Sequence, residues 1–511
     1  MSSARTGNLA SLAAAVLQPG FVGTTPPPWV CRWLGDGLGG VVLFARNIVT
    51  LDQVAALTAT LRAERPDVIV AIDEEAGDVT RIESGRGSSR PGNFALGVVD
   101  DPELTSEVAR DLGRELASVG VTLDYAPSAD VNSNPNNPVI GVRAFGDDPA
   151  VVARHTAAWV QGIQSGGVAA CAKHFPGHGD TRVDSHLALP SIGGTRAQLD
   201  AAELVPFRAA VAAGVQAVMT GHLLVPALDP ELPATLSSRI IGGLLREELG
   251  FTGLVVTDAI EMRAVSDRYG FAGAAVRALA AGVDAVCVGG ERDDEEAARE
   301  LRDAIVAAVV AGELPEERLA EAAERVGRLA AWSVAARAGV PTRPDADQDG
   351  SPVGLAAARR AVRVTASGDA GTALPLAAAP HVVEFAPPRN IAIGAETPWG
   401  VAAPLADLLP GTTAVRIGAG DPATDSIASA AGRPLVLVVR DLHRHDWMRA
   451  AVEQALAARP DGVVVELGVP ALVTGRVHVA THGATRSSAR AAAELLAGLE
   501  RASAPLLAGL G

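Results

Sequence analysis

At 511 residues the chain is longer than one ordinary core supports, so two domains are expected. Hydrophobic residues make up 48% of it, and no apolar run reaches the roughly 18–20 residues needed to cross a bilayer, so the class is soluble and globular. A formal net charge of −16 with no basic block argues against nucleic acid and anionic membrane surfaces as partners, because both require a positive footprint.

The N-terminus, MSSARTGNLASLAAAVLQPGF, has no charged region ahead of a clear apolar stretch, so a secretory signal is not expected and the segment reads as a first strand. Eight β-rich apolar runs then recur over the first two thirds. They are AAVLQPGF (ending at Phe21), GGVVLFARN (39–47), DVIVAIDEE (67–75), GVTLDYAP (120–127), GVAACAKHF (167–175), GVQAVMTGH (214–222), GLVVTDAIE (253–261) and GVDAVCVGG (282–290). Near-continuous apolar strands are those of a parallel sheet covered on both faces. Helical stretches separate them. Leu104, Val108, Leu112 and Leu116 lie at i, i+4 spacing between Pro102 and Gly120, and Thr50 followed by Gln53 has a capping-box pattern. Eight strand–helix units in about 300 residues predict a (β/α)₈ barrel, with a doubly wound open sheet as the structural alternative.

The catalytic barrel is expected over 1–335, followed by a Pro-, Gly- and Asp-rich linker over 336–356. Beyond it HVVEFAP, TTAVRIG, PLVLVVRD, DGVVVELG and RVHVATHG alternate with alanine-rich helices, predicting a smaller α/β/α domain over 357–511. No catalytic cluster stands out there, and His443 and His445 read as part of a surface turn. Cys31, Cys171 and Cys287 are few and far apart, which excludes a disulfide framework and fits a cytoplasmic location.

A barrel carries its site at the C-terminal ends of its strands, and the polar tips here are Arg46 and Asn47, Asp73, Asp124, Lys173 and His174, His222, and Asp258. Any one of these can instead cap the next helix, Asp124 and Asp78 above all. Asp258 follows four apolar residues and a threonine, where a carboxylate can act as nucleophile toward an anomeric carbon or simply as an N-cap. The densest stretch is AKHFPGHGDTRVDSH, from Ala172 to His186, whose Pro176, Gly177 and Gly179 make it a loop. Asp184 and His186, two apart in an extended segment, point the same way, and an aspartate beside an imidazole makes a general acid near neutral pH. The metal alternative would draw on His174, His178, Asp180, Asp184 and His186. Against it, no helical His pair passes through Pro and Gly, and Lys173 would oppose a cation.

These segments resemble the family 3 glycoside hydrolases, and within them the two-domain bacterial β-N-acetylglucosaminidases. AKHFPGHGDTRVDSH resembles their acid/base loop, LLREELGFTGLVVTDAIE the nucleophile signature, DVNSNPNNPVIGVRAFGDDP a substrate-binding segment, and AIDEEAGDVTRI a sugar-contacting strand end. The resemblance implies a retaining exo-β-N-acetylglucosaminidase (a β-N-acetylhexosaminidase) acting on peptidoglycan or chitin fragments. Asp258 would be the nucleophile and His186 the acid/base, oriented by Asp184. Asp73, Arg81, Arg143, Lys173 and His174 would bind the sugar hydroxyls and the N-acetyl group. The partner implied is a small N-acetylglucosaminide, with no cofactor and no metal. Because a neutral imidazole leaves no negative charge beside the incoming nucleophile, phosphate is an alternative acceptor and phosphorolysis an alternative outcome. A β-glucosidase of the same family and a metal-dependent barrel hydrolase compete with this reading. Two departures stand out: Ala76 occupies the place of a usual glycine, and Glu261, three residues after Asp258, replaces a small or polar residue.

Overall fold

The computed structural model describes residues 3–181, 189–338, 350–367 and 374–499, the last range interrupted at 389, 391, 395, 422–426, 428 and 431, together with 507–508. The chain divides into two compact units. The first comprises Met1–Glu75, Thr105–Ile140 and Asp147–Ala346, and the second Ala76–Leu104, Gly141–Gly146 and Asp347–Gly511. The expected division was contiguous, at 1–335 and 357–511. Instead, the segments that follow the third and fourth strands belong to the second unit. Residues 352–356, expected as linker, open the helix Pro352–Ala361, whose N-cap Ser351 accepts from Gly354 N–H.

In the first unit the strands are β1 (Leu17–Pro19), β2 (Gly40–Leu43), β3 (Ile69–Ile72), β4 (Leu123–Asp124), β5 (Ala169–Phe175), β6 (Ala217–Thr220), β7 (Leu254–Thr257) and β8 (Val286–Val288). β2 to β7 pair in chain order, all parallel, and β1 pairs with β8. β7 and β8 are joined by a parallel bridge at Val256 and Ala285, and β1 lies beside β2, which completes a (β/α)₈ barrel. All eight expected runs supply a strand. The first is shorter than expected: Ser3–Ala15 is a helix, favoured by the strong helix formers Leu12, Ala13, Ala14 and Ala15, and only Leu17–Pro19 pairs. The helices Leu51–Glu64 and Pro102–Ser118 form where expected; Thr50 accepts from Gln53 N–H, and Val108, Leu112 and Leu116 are fully buried.

Side chains alternate across each strand, so the core cluster identifies the inward set. Val42, Ile69, Ala71, Leu123, Tyr125, Ala169, Cys171, Ala217, Met219, Leu254, Val256, Ala285 and Cys287 form one cluster with Val326, Leu329 and Ala330 of the helix Glu316–Arg337. Two residues further along the same parity come Phe44, Asp73, Lys173, Gly221, Asp258 and Gly289. The barrel interior is therefore apolar up to its last layer apart from Gln18, which stands in register with the inward Cys287 and accepts from the Tyr125 hydroxyl; in the last layer two carboxylates and an amine replace aliphatic groups.

The second unit has a seven-stranded sheet in the order β11-β10-β12-β13-β14-β9-β15, with β9 (Arg363–Ala366), β10 (His381–Phe385), β11 (Thr413–Ile417), β12 (Leu435–Val439), β13 (Val463–Glu466), β14 (Val477–Ala480) and β15 (Leu507–Ala508). The pairings are parallel except that of β14 with β9. Val436 and Val438 pack on one face with the helices Pro352–Ala361 and Arg486–Ala497, and Leu435, Leu437 and Val439 pack on the other with Asp446–Ala458. This is the expected α/β/α arrangement, with β9 and β15 added to the strands legible in the sequence.

Candidate active site

Asp73 and Lys173 meet directly. Lys173 is 2% exposed, and its ammonium donates to Asp73 Oδ1 and lies 2.6 Å from Glu75 Oε1. A buried ammonium needs compensating charge, and two carboxylates supply it. Asp73 keeps 22% of its side chain exposed while Glu75 keeps 3%, so Asp73 is the member of the trio that reaches the mouth.

Asp258 is half-buried at the tip of β7. Its N–H donates to Thr220 O at 3.1 Å, its Oδ1 accepts from Ala259 N–H at 2.8 Å, and His222 Nε2 donates to Ala259 O at 3.0 Å. Because a carbonyl can only accept, that contact places a proton on His222 Nε2; Nδ1 faces Thr235 Oγ1 at 2.9 Å. Below the carboxylates lie Tyr125, Cys171 and Cys287. Burial first, and then the charges of Asp73 and Asp258 among others, push both thiols up, so they stay protonated and unreactive. Asp73 and Asp258 stand two residues beyond Ala71 and Val256, which share one core cluster with both thiols, so the two carboxylates lie over one floor.

His174 is buried, and its Nδ1 donates to Asp130 Oδ2 at 2.7 Å. Asp130 also accepts from Ser128 Oγ (2.9 Å), His174 N–H (3.1 Å) and His178 N–H (2.7 Å). Its full burial alone would raise its pKa, but His174 and His178 outweigh it and hold the carboxyl below its ordinary range. Asn137 Nδ2 donates to His178 O (2.9 Å) and Gly179 O (3.0 Å), and Asn134 Nδ2 to Thr181 O (3.1 Å). The DVNSNPNN segment thus anchors the loop up to Thr181. At Gly179 a Cβ would sit 1.6 Å from Val131 O, so only glycine fits against that segment.

The structure therefore brings Asp73, Lys173 and Asp258 to one end of the barrel, with His174 next to Lys173 on β5. Arg81 and Arg143 lie in the second unit, where Arg81 Nη1 donates to Ala392 O (3.1 Å) and Arg143 is buried with its carbonyl accepting from Asn93 Nδ2. Asp184 and His186 lie outside the described residues. Asp124 is a strut: fully buried on the outward parity of β4, it accepts from Glu74 N–H at 3.0 Å, and burial, then the charge of Glu74, push its carboxyl well above the usual range. Asp78 pairs with Arg440 (2.6 Å) and accepts from Ala484 N–H (2.7 Å) within the second unit. Sequence reasoning missed Glu75 and Asp130. Glu75 was accessible, since it stands at i+2 from Asp73 on an extended segment, whereas Asp130 carries no local signal for its partner 44 residues away. Ala76 has φ 53° and Gly77 φ 63°, so the usual glycine is explained by a left-handed turn that Ala76 adopts at a cost of about 1–2 kcal/mol. Among the described residues no three His, Cys, Asp or Glu side chains gather as a metal cage.

A parallel eightfold barrel with carboxylates at its strand tips is an architecture that glycoside hydrolases share with many other barrel enzymes. The model of the glycosyl hydrolase family 3 N-terminal domain matches residues 33–329, and the chain belongs to that family. A beta-hexosaminidase of Xanthomonas euvesicatoria pv. vesicatoria is 40% identical over 276 residues, covering 53% of this chain and 82% of that protein. Beta-hexosaminidase A of Pseudoalteromonas piscicida is 35% identical over 331 residues, covering 60% of this chain; the chain spans about half, 55%, of that relative's length. A family 3 β-N-acetylglucosaminidase structure from Paenibacillus sp. superposes with a TM-score of 0.86 at 35% identity, covering 98% of both chains.

Proposed function

We propose that the chain is a retaining exo-β-N-acetylglucosaminidase that removes terminal N-acetylglucosamine from peptidoglycan or chitin fragments. The Asp258 carboxylate attacks C1 of the bound sugar while His186, oriented by Asp184, protonates the departing glycosidic oxygen. The bond from C1 to the leaving oxygen breaks as an ester to Asp258 forms. Water then attacks C1, gives its proton to His186, and releases the sugar with both residues restored. Asp73, Lys173 and His174 bind the sugar hydroxyls and the N-acetyl group. The observation that carries this reading is the placement of Asp258, half-buried at the inward tip of β7 in the same layer as Asp73 and Lys173. The choice of sugar is supported by the names of the relatives.

The test is a product assay with an aryl β-N-acetylglucosaminide, run with and without inorganic phosphate. Free N-acetylglucosamine, released first as the β anomer, is expected in both arms. Asp258→Ala is expected to lower turnover by at least about 10³-fold, and His186→Ala by less when the leaving group is good and needs little protonation. Near-normal turnover in the Asp258 variant refutes the nucleophile assignment, and sugar-1-phosphate in the phosphate arm reassigns the reaction as phosphorolysis.

A further inference from the structure

Beyond Val288 the β1–β8 ladder ends, and the main chain at 289–291 is held by a side chain instead. Glu261 Oε1 accepts from Gly289 N–H at 2.9 Å, Gly290 N–H at 2.5 Å and Glu291 N–H at 3.3 Å. Gly289 is gripped from its other side as well: Arg46, at the end of β2, donates to Gly289 O and to Phe21 O and pairs with Asp293 at 3.2 Å. A Cβ at Gly289 would stand 2.7 Å from Gly20 N, so the two backbones already touch and the loop has no room to move toward β1. Glu261 is also the end of the turn that begins at Asp258. Ile260 N–H donates to Cys287 O at 3.1 Å, and Met262 N–H returns to Ala259 O at 3.0 Å. The turn is therefore tied to β6 through His222 and to β8 through Ile260 and Glu261.

We propose that Glu261 is a positioning residue for Asp258: its carboxylate locks the turn after β7 to the backbone after β8 and so fixes where the Asp258 carboxylate stands. A carboxylate oxygen that takes three backbone N–H groups is a charge-assisted anchor, stronger and less forgiving of displacement than water at the same amides. The second oxygen, Oε2, is buried with no hydrogen-bond partner among the described residues, so the contacts that hold this side chain are those of Oε1. The anchor stands only three positions beyond Asp258, and misplacing a reacting atom by about 1 Å costs on the order of 10²-fold in rate. Glu261 therefore holds the site in shape without touching substrate. This inference rests on the reading of Asp258 as the nucleophile.

Two variants and two readouts test it. Steady-state turnover of an aryl β-N-acetylglucosaminide is measured for Glu261→Ala and Glu261→Gln, and hydrogen exchange is followed in the peptide spanning 289–291. In Glu261→Ala, kcat is expected to fall about 10- to 100-fold with KM within about threefold, and the 289–291 amides to exchange at least about tenfold faster. Glu261→Gln keeps a carbonyl oxygen for the amides, so both readouts are expected to return most of the way to wild type. Unchanged exchange in the Ala variant, unchanged kcat despite faster exchange, a change confined to KM, or a Gln variant no better than Ala each overturns the proposal. A wild-type protein inactive on the N-acetylglucosaminide sinks the functional reading instead, and exchange, which needs no turnover, keeps the two failures apart.

Discussion

The barrel mouth and the C-terminal edge of the second unit's sheet occupy equivalent places in a parallel and a mostly parallel sheet, and both carry acidic residues, yet they use them differently. In the second unit Glu466, at the end of β13, accepts from Asp441 N–H (2.8 Å), Leu442 N–H (3.1 Å) and Gly468 N–H (2.7 Å), while Asp441 accepts from Val469 N–H (2.9 Å). These carboxylates staple loops, and Glu466 is fully buried. At the barrel mouth, Asp73 faces an ammonium and Asp258 remains half-buried. A carboxylate at a strand end thus becomes a site candidate when side chains converge with it on a common axis, and a structural fastener when the main chain consumes its lone pairs.

Three measurements put this contrast at risk. The largest effect is expected at Lys173. Lys173→Met leaves Asp73 and Glu75 together without their cation in a buried place, which should destabilise the protein by about 3–5 kcal/mol, read as a lower denaturant midpoint. A shift of only a few tenths would mean that the trio is solvated and the mouth more open than its burial indicates. Next comes Asp130→Asn, which keeps an oxygen for the two backbone amides but loses the charged partner of His174; a cost of about 1–3 kcal/mol is expected at neutral pH. Asp130 is held below its ordinary 3.8 in the fold, so the wild-type protein has this stabilisation above that value and loses it as pH falls through the folded value. The Asn variant should lack that acid-side loss, and identical acid limbs in the two proteins would rule out Asp130 as its source.

The smallest effect has the opposite sign and lies in the second unit. Burial, and then the Asp441 charge, raise Glu466 from its ordinary 4.5 to about 7. The native state therefore holds a proton that the unfolded chain has released between those values, and stability falls as pH rises across that window. Asp441→Asn removes the like charge at a left-handed position that asparagine tolerates, and should return roughly 1 kcal/mol of that loss, seen as a flatter midpoint between pH 5 and pH 8. An unchanged slope would assign the raised value to burial alone.

Much of the architecture was legible because it rests on local periodicity. Strands covered on both faces must be apolar throughout, so eight such runs announced the barrel and put Asp73, Lys173 and Asp258 at strand ends, while their inward parity with Ala71, Cys171 and Val256 came from the folded core. The same reading failed at the N-terminus, where an alanine-rich stretch satisfies a strand's hydrophobicity but has a helix former's backbone preference. Glu261 was visible only as an unexpected residue; its role needed the loop at 289–291, some thirty residues on, to supply three amides.

The number, order and kind of the barrel strands are written in short stretches of the chain, because they follow from apolar runs a few residues long; which side of each strand faces the axis was decided by the folded core. Partners are not written there; they come from the folded arrangement. Folding paired Lys173 with carboxylates about a hundred residues away and His174 with Asp130, placed residues 76–104 and 141–146 in the second unit, and turned Asp124 and Glu466 into struts. A charge takes its role from what closes around it, and that closure is a long-range property no short window contains.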